Sequence, residues 1–230
     1  RVTDGLTGFN FGHPRTDTTG FHGFLLTDGR EFYQCFLFYL VMLSSEEVIE
    51  IVDENNNVLT PCTRGEMREK KLYHRATYAF IKNSNNYFYV QKRSMLKDYC
   101  PGSFDPCPGG VVAAGESYEF TNEREIDEEM GIKDTPSHHL FTFLYEDHTT
   151  KCWGDAWEAE YNGPLKLQKE EVDSVYMMSM QEILTRAENG EDFTPDSIYA
   201  CKEYVKMKGG IESFPKPIGE PTDPILMANA

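Results

Sequence analysis

The stretch GGVVAAGESYEFTNEREIDEEMGI, Gly109 to Ile132, constrains the fold more than any other part of the chain. A short apolar run meets a glycine, and a helical pattern runs from Ser117 to Met130. Gly131 then stands where a helix hands over to a left-handed residue. Residues at i, i+3 and i+4 share a helix face, so Glu125, Glu128 and Glu129 project within one arc. Ile126, Met130 and Ile132 give the same segment its apolar anchors. The helix must therefore bury one side and bring three carboxylates together on another. Close carboxylates raise one another's pKa unless a cation compensates. Oxygen donors of this kind suit Mg²⁺ or Mn²⁺. Glu119, Glu123 and Asp127 are expected to face water.

The rest of the chain reads as strands with helices inserted and a helix near the end. EEVIEIVD alternates apolar and polar residues, and VLTPCTR follows as an edge strand or connector, with Pro61 unsuited to a central place. GEMREKKL is a short helix. HRATYAFIKN and YFYVQKRS form a hairpin about SNN. MLKDYCPGSFDPCPGG is a broken loop, and VVAAG a short strand. HLFTFLYED, CWGDAWEAEYN and DSVYMMSM are further strands, the last leading into a helix from about Gln181. A final helix opens with Thr194 as cap and Pro195 at its first position. This order predicts a single α/β (α+β) domain built on a mixed sheet.

Composition sets limits on function. A net charge of −16 over 230 residues excludes a general nucleic-acid binder, which needs a basic stripe against phosphates. A small phosphorylated substrate stays open. The six cysteines form no zinc spacing and are read as reduced thiols of a cytoplasmic protein. CFLFYLVML is too short to span a bilayer, so no membrane association is expected. Residues 1–43 show no sustained period and are read as a weakly structured extension. The working domain is expected over 44–207, followed by a flexible tail over 208–230.

The acidic segment carries a longer pattern. Gly110, Glu116, Arg124-Glu125-Ile126, Glu128-Glu129 and Gly131-Ile132 fall at the spacing G-x5-E-x7-R-E-U-x-E-E-x-G-U, where U is bulky and aliphatic. A chance match at all nine positions is on the order of 10⁻⁹ per start site, from ordinary residue frequencies. The segment is identified as a Nudix box, and the chain from about Glu46 to Lys206 resembles Nudix hydrolases. The fold this implies is an α/β/α sandwich with a mixed β-sheet. The activity it implies is divalent-metal-dependent hydrolysis of a diphosphate linkage, in a nucleoside diphosphate-X or another organic diphosphate. The resemblance gives Glu125, Glu128 and Glu129 the metal, with the carbonyl near Gly110. It leaves Glu125 open to a second role, orienting or deprotonating the attacking water. Arg124 braces the carboxylates, while Glu116 and Gly131 are structural within the motif. Glu171 is the candidate for a further ligand or base from a loop before a late strand, with Glu170 next. Family members are often dimers, so a homodimer is one implied assembly.

LYHRATYAFIKN, YFYVQKRSMLKDYCPG, WGDAW and EEVDSVYMMSMQEI are similar to the Nudix branch near isopentenyl-diphosphate isomerases. That likeness places Arg93 and Lys97 on a diphosphate-gripping pair and His74 on a metal-binding histidine. The departures oppose isomerase chemistry. The isomerase cysteine falls on Gly109, its metal histidines on Val111 and Met67, and its second acid at or beside Gly154, next to Asp155. A glycine cannot donate a proton. Cys107, two residues away, reads as a small packed thiol. Three readings follow: a hydrolase first, an isomerase second, and a non-catalytic Nudix module binding nucleotide or protein third. Tyr99, Phe104, Trp153 and Trp157 are candidates for stacking on a base.

Overall fold

The computed structural model describes residues 44–220. The extension expected over 1–43 and the last residues, 221–230, lie outside the described residues.

Among the described residues, eight strands come in runs separated by helices, and two α-helices follow the last strand. Strands β1 (Val48–Val52) and β2 (Val58–Thr63) pair antiparallel. Asp53 turns the chain between them by accepting from the backbone N–H groups of Asn55 and Asn57, and Asn56 takes a left-handed conformation. β2 closes one edge of the sheet, where Pro61 costs no ladder bond inside it. Helix α1 (Arg64–Lys70) is capped by Thr63, whose hydroxyl accepts from the Glu66 N–H at 3.2 Å.

Strands β3 (Tyr73–Lys82) and β4 (Phe88–Arg93) flank the turn at Asn83–Tyr87. The expected hairpin is brief, because their ladder consists of Lys82 opposite Phe88. Beyond that point β3 and β4 part. β3 continues beside β7 (Lys151–Glu160) as a parallel pair, with β6 (Ser137–Glu146) antiparallel on the far side of β7. β4 continues between β5 (Phe104–Asp105) and β8 (Val172–Met178). The segment after β5 crosses the opening and lies along β3: Thr77 N–H donates to Gly110, Ala79 N–H to Pro108, and Val112 N–H to Arg75. The expected VVAAG strand is reduced to single bridges at Val111 and Ala113.

Alternation along β3 sorts the two layers. Ala76, Tyr78 and Phe80 face helices α3 (Met180–Glu188) and α4 (Pro195–Met207), packing with Ile183, Ala200, Cys201 and Tyr204. Ala79 and Ile81 face helix α2 (Tyr118–Met130) through Ile126, Met130 and Ile132. The sheet is mixed and lies between helices, the α/β/α sandwich that the sequence implied. Thr194 holds the cap position of α4, but its side chain makes no capping bond; Pro195 supplies the preset first-turn geometry. Part of the stretch expected to be a loose tail packs on the core: Phe214 lies against Tyr204 and Phe88, and Ile218 N–H donates to the Asn85 carbonyl. No helix among the described residues is long and apolar enough to cross a membrane.

Candidate active site

Helix α2 starts at Ser117, whose hydroxyl accepts from Phe120 N–H, and ends at Gly131 in the left-handed conformation. These ends fix the rotation of the helix. Ile126 and Met130 go into the core, and the glutamates go to the edge where the sheet parts.

The three glutamates do not share one environment. Glu129 is 1% exposed and accepts from Gln91 Nε2 of β4 at 2.9 Å. Glu125 is held against Gly110, and a Cβ on Gly110 would collide with the Glu125 carboxyl group. Glu128 stands at the rim, its side chain 52% exposed. Arg124 ties the set together. Its Nη1 lies 2.9 Å from both Glu125 and Glu128, and its Nη2 donates to Glu116 at 3.1 Å. Glu116 also accepts from the Thr121 hydroxyl at 2.7 Å. Glu123 and Glu119 face water, and Asp127 is half-exposed.

Burial and the neighbouring Glu129 push the Glu125 carboxyl up to about 8, against the pull of Arg124 and Lys97. Burial likewise raises Glu129, with Lys97 opposing it. Two loops supply the counter-charge and a third acid. Lys97, after β4, pairs with Glu171, before β8, and lies 3.5 Å from Glu129. Burial works against the Glu171 charge, but Lys97 holds its carboxyl below the usual range. Glu170 points to solvent. Among the described residues no three carboxylate, thiol or imidazole groups converge closely enough to enclose a metal ion. The donor set still suits a hard cation. Its oxygens are carboxylates, Glu129 buried and Glu125 12% exposed, and a glycine leaves room beside Glu125.

The other expected residues are placed as follows. Arg93 is 7% exposed, with Nη1 donating to Asp105 at 2.9 Å and Nε and Nη2 to the Tyr99 carbonyl. It lines the same cavity as Lys97, with its donors engaged in bracing the loop from Tyr99 to Asp105. His74 is buried; burial and Arg68 lower its pKa to about 3, while its Nδ1 lies 3.1 Å from the Leu72 carbonyl. At Gly109 a Cβ would strike the Thr77 carbonyl, and at Gly154 it would strike Phe143 and Tyr78. Asp155 is committed to Thr142 and His139 at 2.7 and 3.0 Å. Cys107 is fully buried. Of the four candidate stacking aromatics, Tyr99 lines the cavity, whereas Phe104, Trp153 and Trp157 pack elsewhere.

The cavity measures about 290 Å³. It contains residues that sequence reasoning missed. Arg64 and Arg68 reach it from α1; both pair with Asp98, whose carboxyl they hold at about 2 although burial works against its charge. Their i, i+4 spacing in RGEMR was the available signal. Tyr78 and Asp196 also line it, placed together by the fold alone.

A Nudix-domain family model matches residues 72–197. An uncharacterized Nudix hydrolase of Yersinia pestis is 40% identical over 159 residues, 69% of this chain and 86% of that protein. The uncharacterized Nudix hydrolase YfcD of Escherichia coli K12 is 37% identical over 164 residues, 71% of this chain and 89% of that protein. Among solved structures, DR0079 from Deinococcus radiodurans superposes with a TM-score of 0.62 at 22% identity, covering 68% of this chain and 98% of that one. The fold, the motif on α2 and the relatives agree, and the chain belongs to the Nudix family of hydrolases.

Proposed function

We propose that the chain hydrolyses a diphosphate linkage in a nucleoside diphosphate-X or another organic diphosphate, and that it depends on Mg²⁺ or Mn²⁺. One observation carries this reading: Glu125, its side chain 12% exposed and set against Gly110, stands beside fully buried Glu129, with Arg124 bracing Glu125 and Glu128 from outside. Burying like charges side by side is costly without a strong cation. Glu125, Glu128 and Glu129, with the Gly110 carbonyl, are the residues that would hold it. The bound cation would neutralise the diphosphate and activate water.

The chain's own groups do the rest. Glu171 reaches the same cavity from the loop before β8, and either it or Glu125 accepts the proton of the attacking water. Arg124 keeps the carboxylates in place through charge-assisted bonds. Lys97 and Arg93 set positive charge along the cavity wall for the substrate's phosphates. Products are a phosphomonoester and a phosphate or nucleotide. The isomerase reading loses support from Gly109, where the Thr77 carbonyl occupies the space a cysteine side chain needs.

A phosphate-release screen over many diphosphate compounds, with and without Mg²⁺ or Mn²⁺, tests the proposal. Metal-dependent release from at least one compound supports it. Allylic product from isopentenyl diphosphate without phosphate release would favour the isomerase, and binding without any turnover would favour a non-catalytic module.

A further inference from the structure

The cavity extends past the carboxylates to a second polar group that the proposed chemistry leaves unused. Glu125 approaches it from α2, on one face of the sheet; Asp196 approaches from the first turn of α4, on the other. Asp196 is buried. Its Oδ2 accepts from the Tyr78 hydroxyl at 2.8 Å and its Oδ1 from the Tyr99 hydroxyl at 3.2 Å. Nearby Asp105 differs: Arg93 neutralises it, and it also accepts from Ser197 Oγ at 2.7 Å and Cys107 N–H at 3.1 Å. Among the described residues no lysine or arginine is within ion-pair distance of Asp196; Arg93, paired with Asp105, acts on it from farther away. A carboxylate offers about four acceptor positions; the two phenols and the backbone N–H of Asp196 itself fill three of them.

Burying a carboxyl group with phenols for partners and no counter-ion is costly. Burial and Asp105 push the Asp196 carboxyl upward accordingly. The cavity is thus asymmetric in charge. Arg64, Arg68, Arg93, Lys97 and Arg124 line it, and Asp196, which has no ion-pair partner of its own, lines the side near α4. An aliphatic group there would leave Asp196 facing hydrocarbon. Stacking room for a nucleobase is reduced: the Arg68 guanidinium lies over one face of the Tyr99 ring at 5.0 Å, and the Tyr78 ring packs against Phe143 with centroids 5.0 Å apart. The volume, about 290 Å³, is also at the lower end of ligand pockets, which run roughly 300–1,000 Å³.

We infer that this cavity selects a compact organic diphosphate whose non-phosphate end carries hydroxyl or ammonium donors, and that Asp196 receives them. The inference rests on the proposed diphosphate chemistry of the same cavity.

The test compares matched small diphosphates on the full chain with Mg²⁺: 2-aminoethyl, 2,3-dihydroxypropyl and isopentyl diphosphate, with a nucleoside diphosphate sugar as the bulky case. The same organic groups on non-hydrolysable methylene-bisphosphonates are measured by calorimetry. The donor-bearing compounds should exceed isopentyl diphosphate in kcat/KM, and their analogues should exceed the isopentyl analogue in affinity, each by at least about tenfold. The amino and dihydroxy arms separate the two sources of donors. Asp196→Asn, its folding checked by thermal unfolding, should shrink that ratio, because its amide supplies one acceptor atom instead of two. Equal or better binding of the isopentyl or nucleotide compound would overturn the inference. Phosphate release without donor preference would overturn it while leaving the hydrolase reading intact. Donor-selective binding without release would do the reverse.

Discussion

Gln91 Nε2 donates to Glu129 Oε2 at 2.9 Å, and both side chains are about 1% exposed. A strand of the sheet thereby fixes the orientation of a carboxylate carried by a helix. Gln91→Leu removes the donor and leaves a buried carboxylate oxygen without it. Stability should fall by about 1–3 kcal/mol, read as a lower urea midpoint. An unchanged midpoint would show that Glu129 is held by something else.

Gly110 is required by space. A Cβ at that position would collide with the Glu125 carboxyl group, while the backbone of Gly110 is already pinned to Thr77 on both sides. Gly110→Ala should therefore lower kcat by at least about tenfold, since small displacements of reacting groups are costly. Its circular dichroism spectrum should remain native. Full activity would mean that Glu125 need not sit where it does.

Arg124 serves three carboxylates through one planar fork. A lysine keeps the charge but cannot reproduce the fork. Arg124→Lys should reduce activity by roughly 10–100-fold, the range for groups that orient metal-binding residues. The Mg²⁺ concentration giving half-maximal rate should rise. A reduced rate with unchanged Mg²⁺ dependence would place Arg124 on the substrate instead.

His74 makes the fold sensitive to acid. Its imidazole protonates near 6.5 when free, and burial beside Arg68 lowers this to about 3 in the folded chain. Between those values the unfolded chain binds the extra proton, so stability falls as pH falls through that window. At pH 5 the loss is about 2 kcal/mol relative to pH 7.5. Urea midpoints at the two pH values, compared with those of His74→Gln, measure it. The variant should lose less stability on acidification; equal losses would refute this assignment.

Local signals carried the helix of the motif well. Ser117 and Gly131 marked both ends of α2, and the spacing of Ile126 and Met130 predicted which side is buried. The same spacing put three glutamates on one arc but not at one depth. Whether Glu128 stays at the rim depends on the sheet that α2 meets, which a helical period does not encode. Arg93 shows a similar limit. Its place near the cavity was legible, whereas its bond to Asp105 depends on how the loop after β4 returns. Asp196 and Tyr78 lie 118 residues apart in sequence and meet because α4 packs across β3. Only the fold brings them together.

The most direct test of the account is Mg²⁺-dependent phosphate release by the intact chain and by Glu129→Gln, on a substrate found by screening. Glu129 is buried inside the carboxylate group and touches the protein through Gln91 and Lys97. The account predicts that the isosteric amide folds normally and loses metal-dependent release to background. Full release by Glu129→Gln at the same Mg²⁺ concentration would contradict it.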